Sequence, residues 1–330
     1  MSSRTANAPH GAGGQGATVS VVVLSYNRPE YLRAALDSLL AQTYRPLDVA
    51  VIDNPSPASD EIERLVGLYA GVRLVRNGDN LGYTGGMNRG IEQAGGRYTL
   101  LTEDDIVLGP DCVGSLVEHL NAHPETGLAA PVIYNRAGGT IRCAGGEFAL
   151  GGVYRTKIYC EGEPDTGQLR RPFEVGYIDG AVMFARSDLF RRLGGFREEF
   201  FMYVEAVEFC ARVKKSGGRM AVVPRAKVYH FEPRPGANQG PEFGFHRYKN
   251  FFAMHLLHAP ARCLPEFFAR YALLGLLRAG AGRGGDAREL LRALRWVAGR
   301  APSLLRERSA GRGERGGVDG VKVKGQSEGA

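Results

Sequence analysis

Cysteine is scarce in this chain: five in 330 residues (Cys112, Cys143, Cys160, Cys210, Cys263), odd in number, scattered, and never spaced as CxxC. That excludes a disulfide scaffold and the common zinc and thioredoxin signatures. Long apolar runs are missing too. No stretch of about 18 uncharged apolar residues occurs, and the opening MSSRTANAPHGAGGQGA lacks the apolar core of a signal peptide, so a reducing cytoplasm is the expected compartment. Two phosphate-binding fingerprints are also absent. The turn after the first expected strand reads SYNRPEY where GxGxxG would stand, and GxxxxGK(S/T) occurs nowhere, which removes most support for hydride transfer and for a P-loop.

What is present starts with an uneven charge. The net charge is +7, and the excess lies between Arg262 and Arg315, where twelve Arg face five acids; residues 1–261 balance to zero. A neutral body thus precedes a basic C-terminal region with a different job. At 44% hydrophobic residues the chain can bury one large core or two smaller ones. Both ends, 1–17 and 309–330, are Gly-rich without apolar periodicity and read as disordered.

From Val19 short β-branched runs alternate with amphipathic segments, the pattern of a layered α/β fold around a mostly parallel sheet. Strands are expected at 19–24, 49–53, 72–75, 98–101, 129–134, 181–185 and 219–223, the last running on toward His230. Helices are expected near 30–40, 59–69, 84–94, 110–122, 187–193 and 205–216, and the Gly-rich stretch Gly138–Gly152 reads as irregular.

In an open parallel sheet the ligand crevice lies at the carboxyl ends of the strands. Those places are polar here: SYNR at 25–28, Asp53 and Asn54, NGDNLGYTGGMNRG at 77–90, and Glu103, Asp104 and Asp105. Together they are expected to line one nucleotide-sized cleft. Three adjacent acids at a strand end repel one another unless a cation sits there, which suggests a divalent ion bridging carboxylate and phosphate oxygens.

The segments VSVVVLSYNRPEYLRAALDSLLAQTY, VIDNPS, NLGYTGGMNRGI, LLTEDDIVL and GGFREEFFMYVEAVEFCARVKKSGGRMAVVPRAKVYH, in that order, resemble the inverting family-2 glycosyltransferases of the GT-A fold, close to their rhamnosyltransferase-like branch. The resemblance runs over residues 18–260. It implies a GT-A catalytic domain at 18–245 followed by a helical basic region at 246–308. It also implies a UDP- or dTDP-linked sugar donor, Mn²⁺ or Mg²⁺, and a hydroxyl acceptor on a glycan, a lipid-linked sugar or a small molecule.

By that resemblance Asp105 and His230 hold the metal, and Glu103 or Asp104 lies near the ribose, both belonging to the donor-binding set. Asp53 recognises the base, beside Ser25, Tyr26 and Asn27, and Asn80, Gly82 and Asn88 complete the donor-binding set. Glu205 is the general base. The family's usual second acid is missing, because residue 206 is Ala. Such chemistry asks for a cation to stabilise the departing diphosphate and for a carboxylate to take the proton of the attacking hydroxyl.

The same residues also have plainer readings. The triplet alone fits a solvated turn with a capping Asp, Asp53 a turn residue, and His230 a structural histidine after a strand. Glu205 can cap its own helix, and Glu208 pairs with Arg212 at i,i+4, which is taken as structural. A soluble-acceptor tailoring enzyme, or a nucleotide-sugar-binding protein that has lost transfer, are the competing functions. The basic segment 251–308, with Pro260 and Pro265 interrupting its apolar stretch, suits either packing on the body or the surface of an anionic membrane on the cytoplasmic side. No nucleic-acid motif accompanies the charge, so no nucleic-acid partner is expected.

Overall fold

The computed structural model describes residues 16–136, 139–151, 155–231, 241–280 and 284–313. The expectations of disorder at 1–15 and 314–330 lie outside the described residues. Residues 309–313, expected to be disordered, instead continue the last helix, and Ala17 accepts a hydrogen bond from the Tyr44 hydroxyl (2.7 Å) and packs against the core.

Parallel pairing builds the first half: β1 (Val19–Ser25), α1 (Pro29–Leu40), β2 (Leu47–Asp53), α2 (Ser59–Val66), β3 (Val72–Arg76), α3 (Gly82–Gln93) and β4 (Tyr98–Glu103). All seven residues of β1 are buried, and it pairs in parallel with β2 and β4 on either side. Pro29 opens α1 where its missing N–H costs nothing, and Leu32, Ala35, Leu36 and Leu39 bury one stripe. Helix α2 stops at Val66, short of 69, with Gly67 at its C-cap and Gly71 at φ 83° turning the chain into β3.

Mixed pairing follows. The elements are β5 (Ile106–Leu108), α4 (Cys112–Ala122), β6 (Thr126–Asn135), β7 (Ile141–Cys143), β8 (Gly146–Ala149), β9 (Arg155–Ile158), β10 (Phe173–Glu174), β11 (Val182–Arg186), α5 (Ser187–Arg192), α6 (Glu205–Lys215) and β12 (Arg219–His230). The main sheet runs β10-β12-β6-β11-β4-β1-β2-β3, with β5 on β12 and β7 on β6. Strand β11 enters antiparallel to both β4 and β6, so the sheet is parallel through its first four strands and mixed beyond. The stretch expected to be irregular holds β7 and β8, the latter paired with β9 in a small hairpin. These strands are only three and four residues long, too short for periodicity to register.

Strand alternation sends Val19, Val21 and Val23 to the side covered by α1, α2 and α4, and Val22 and Leu24 to the side covered by α3, α5 and α6. Each fully buried leucine or phenylalanine contributes roughly 1.5–3 kcal/mol. Close approach is needed under α3. A Cβ at Gly86 would lie 2.4 Å from Leu24 Cδ1, and one at Gly90 would lie 2.1 Å from Val22 Cγ1, so only glycine lets this helix settle on β1.

Three C-terminal helices complete the chain: α7 (Pro241–His258), α8 (Leu264–Gly280) and α9 (Gly284–Gly313). Pro260 does end α7, whereas Pro265 lies in the first turn of α8, where proline is tolerated. The helices share a core of Phe252, Phe267, Leu290, Ala293, Val297 and Leu304, to which the body contributes Phe200. Met254 of α7 also packs on Val207 and Ala211 of α6. Among the described residues no helix is long and apolar enough to cross a membrane.

Candidate active site

The carboxyl ends of β1 and β4 bring Ser25, Tyr26, Glu103, Asp104 and Asp105 together. Asp104 is fully buried; its Oδ2 accepts from the Ser25 hydroxyl (2.9 Å) and from the Tyr26 backbone N–H (3.1 Å). One cation binds the triplet. The Arg28 guanidinium pairs with Asp104 Oδ1 at 2.7 Å, with Asp105 Oδ2, and with Glu103 at 3.9 Å. Burial pushes Asp104 up to about 7 in spite of Arg28, and burial with Asp105 close by also raises Glu103.

His230 closes β12, and its pairing opposite Ile106 of β5 delivers it to Asp105. Its Nε2 lies 3.3 Å from Asp105 Oδ2. Although burial acts to raise Asp105, His230 and Arg28 hold it below the usual carboxylate range. The chain is steadied just past the histidine by the Phe231 N–H on the Asp105 carbonyl (3.0 Å) and by Tyr31 stacked on Phe231 at 4.4 Å.

The donor atoms suit a divalent cation. Among the described residues Asp105 Oδ1 and His230 Nδ1 are buried without hydrogen-bond partners, and carboxylate and imidazole are both ligands of Mn²⁺-type ions. Among the described residues no group of three or more His, Cys, Asp or Glu is placed to hold a metal ion.

Asp53 lies at the end of β2, fully buried, with Oδ2 accepting from Arg76 Nε (3.2 Å) and Oδ1 unpartnered. Burial raises it, against Ser59 and Arg76, which act to lower it. A cavity of about 310 Å³, lined by Arg76, Asn77, Leu81 and Gly85 among others, opens beside this pair. Asn54 organises the approach, donating to the Gly82 carbonyl (2.9 Å) and accepting from Asn77 (2.9 Å) and the Leu81 N–H (3.3 Å). Asn80 accepts from the Gly82 N–H (2.9 Å), and Asn27 adopts φ 59°, which asparagine tolerates. Asn88 is engaged elsewhere: it binds the Phe196 carbonyl (2.8 Å) and N–H (2.7 Å), tying α3 to the chain that leads into α6.

Glu205 is the first residue of α6, and its Oε2 is buried with no hydrogen-bond partner among the described residues. Burial raises it to about 7; the backbone N–H groups of Glu205 and Ala206 act the other way, and Asp179 adds to the rise. The Tyr83 hydroxyl, held on the Gly180 carbonyl at 2.6 Å, is pushed up by burial and then by Glu205, Glu103 and Asp179. Glu103 of the triplet and Glu205 therefore act on the same phenol. Glu208, one turn further along, is fully engaged by Arg212 (2.7 Å), His258 (3.0 Å) and Arg197 (3.3 Å), in keeping with its structural reading.

Sequence reasoning assigned no role to Arg28, Arg76 or Tyr83, and it placed Asn54 in the cleft without foreseeing its bonds to Gly82, Asn77 and Leu81. Arg28 stands inside the SYNR segment that was noted, but its partners lie about 77 positions away, and only the parallel pairing of β1 with β4 unites them.

Residues 20–193, more than half of the chain, match the family model for glycosyl transferase family 2. An N-acetylglucosaminyl-diphospho-decaprenol L-rhamnosyltransferase of Mycobacterium tuberculosis is 30% identical over 234 residues, covering 64% of this chain and 75% of the relative. The low-salt glycan biosynthesis hexosyltransferase Agl10 of Haloferax volcanii is 26% identical, covering 65% and 67%. Among solved structures, GalNAc-T7 with UDP, GalNAc and Mn²⁺ superposes with a TM-score of 0.59 at 18% identity, over 73% of this chain and 48% of that one. The mannosyltransferase PcManGT of Pyrobaculum calidifontis, with GDP-Man and Mn²⁺, gives 0.52 at 19% identity over 89% and 80%. These structures share the GT-A fold. The chain belongs to glycosyl transferase family 2, and it is a glycosyltransferase similar to the rhamnosyltransferase-like branch.

Proposed function

We propose that this enzyme transfers a sugar from a UDP- or dTDP-linked donor to a hydroxyl of a lipid-linked glycan acceptor, with inversion and with the help of Mn²⁺ or Mg²⁺. One observation carries the reading: Glu205 Oε2 is buried without a hydrogen-bond partner among the described residues, beside Gly180 and the Tyr83 hydroxyl, on which Glu103 also acts, which supports base and donor carboxylates lining a common cleft. The lipid-linked acceptor follows the printed activity of the mycobacterial relative.

Asp105 and His230 would hold the cation, which when bound supplies the positive charge that stabilises a departing diphosphate. Asp104, fixed by Ser25 and the Tyr26 N–H, shapes the floor beneath the ribose, with Glu103 at its rim and Asn27 on the same turn. Asp53, with Arg76, accepts from the base, and Asn54 and Asn80 set the backbone around Gly82. Glu205 Oε2 takes the proton of the attacking hydroxyl on the face opposite the leaving group. No carboxylic acid has to protonate the leaving group, unlike the glycosidase pair.

Asp105→Asn is expected to abolish turnover and Mn²⁺-dependent UDP or dTDP binding together, as measured by calorimetry and product release. Undiminished binding and turnover would remove the metal assignment.

The acceptor is met at an anionic membrane surface through residues 251–308. Leu273, Leu276 and Leu277 stand 56%, 72% and 62% exposed at helical spacing on α8, in a segment where arginines outnumber acids. Sedimentation with phosphatidylglycerol vesicles is expected to carry the native protein down and to leave the Leu276→Glu/Leu277→Glu variant in solution. Native protein left in solution would favour a soluble acceptor, and a variant that still sediments would remove the exposed leucines from the contact.

A further inference from the structure

The loop that delivers Glu205 is held in a conformation its sequence does not favour. Phe201, Tyr203 and Val204 adopt φ of 64°, 69° and 68°, three left-handed non-glycine residues within four positions, one of them β-branched. Such residues cost of order 1–3 kcal/mol each and persist only where surrounding structure over-determines them. Val204 is the residue immediately before α6, so the direction in which Glu205 leaves the loop depends on that backbone.

The restraint comes from two sides. From α3, the Thr84 N–H donates to the Phe201 carbonyl (3.1 Å), and Gly82 sits so close that a Cβ there would lie 2.4 Å from the same oxygen. From α7, the fully buried Asn250 places its Nδ2 at 2.8 Å from the Phe200 carbonyl, 2.7 Å from that of Met202 and 2.8 Å from that of Tyr203. Two hydrogens are thus shared among three consecutive-turn carbonyls. His246, one turn before, stacks on the Phe201 ring at 4.8 Å, and Lys249 donates to the Glu199 carbonyl.

Among the described residues Glu205 has little else to aim it, since Oε2 has no hydrogen-bond partner there and the groups that act to lower it are backbone amides at its own helix start. We infer that Asn250 is a positioning residue: through the 200–204 carbonyls it fixes the strained loop and so holds the Glu205 carboxylate toward the acceptor hydroxyl. The C-terminal helices are then part of the transfer machinery as well as the proposed membrane-facing surface. This rests on Glu205 acting as the base.

The test uses the full chain with Asn250→Asp, which keeps the shape but turns an acceptor toward the carbonyls, and Asn250→Ser, which keeps one donor. Misplacing a reacting group by about 1 Å costs on the order of 10²-fold. Asn250→Asp is therefore expected to lower kcat for transfer by about that factor with donor KM little changed, and Asn250→Ser to recover part of the loss. Amide exchange across 201–205 should quicken in both.

The acid limb of kcat/KM, expected near pH 7, should move toward the ordinary carboxylate range as Glu205 gains water. The groups facing Glu205 are Tyr83 of α3, Tyr177 and Asp179 ahead of β11, and loop residue Tyr203, on which Glu103 and Arg247 also act. Asn250 leaves all of them in place.

A folded Asn250→Asp or Asn250→Ser protein with native kcat, acid limb and exchange overturns the inference. A lowered Tm with unchanged kcat overturns it as well, by leaving Asn250 a purely structural task. If Asn250→Asp does not fold, Asn250→Ser alone carries the comparison. Full transfer by Glu205→Gln, measured alongside, would instead overturn the base assignment itself.

Discussion

Glu205 and Glu208 stand one turn apart on α6, and their surroundings divide them. Glu208 is buried but met by Arg212, Arg197 and His258, and although burial acts to raise it, His258 and Arg212 bring it down to about 2. Glu205 meets no cation among the described residues; burial takes it up to about 7, and Oε2 has no hydrogen-bond partner among them. Burial alone therefore does not decide a carboxylate's task. A closed set of donors makes a structural anchor, whereas a buried oxygen with spare capacity is available to a substrate.

The sharpest way to break this contrast is at Glu205. Glu205→Gln keeps the shape and removes the basicity, so transfer should fall by about 10²-fold or more while calorimetric donor binding is retained. In the native enzyme kcat/KM should rise with pH through about 7 and level above it, because the base works only when deprotonated. A flat profile between pH 5 and 8, or retained transfer by the variant, would place the base elsewhere.

Glu208→Gln tests the other half. Removing the charge leaves Arg212, Arg197 and His258 facing an uncharged amide in a buried site, at a cost of about 3–5 kcal/mol in stability at neutral pH. Chemical denaturation reads this directly. Because the folded-state pKa of Glu208 lies below its ordinary value, its stabilisation is present above the usual carboxylate range and is lost as pH falls toward 2, so the gap between native and variant should close in acid. A gap that stays constant down to pH 2 would deny the ion pairs their role.

The sequence made α6 and its two acids visible, but not which was which. Leu32, Leu36 and Leu39 announce α1 through their spacing, and the valines of β1 announce a buried strand, because those signals are local and repeat. The acidic triplet was visible as a charge conflict needing a cation. That Arg28 stands among the carboxylates was not, since β1 and β4 are adjacent only after α1, β2, α2, β3 and α3 have been threaded between them. Asn250 was silent for the same reason: an asparagine in an aromatic helix carries no periodic signal, and its partners lie about 50 positions upstream. Asn88 looked like a cleft residue because it follows a strand end, yet helical geometry turns it toward Phe196.

The smallest effect sharpens the comparison further, because it concerns stability at a site built for chemistry. Glu205 has a folded-state pKa above its ordinary value, so ionising it in the native state is unfavourable. The native protein should lose stability as pH rises from the ordinary carboxylate range through about 7 and then hold steady. Glu205→Gln escapes that penalty. It should be more stable than the native protein at pH 8, by no more than about 3 kcal/mol, and should show no such advantage near pH 4. Thermal unfolding of both proteins at the two pH values reads the difference. A variant that is less stable at pH 8 would mean that Glu205 has a stabilising partner after all, which would make it a second Glu208 and not an acceptor-facing base.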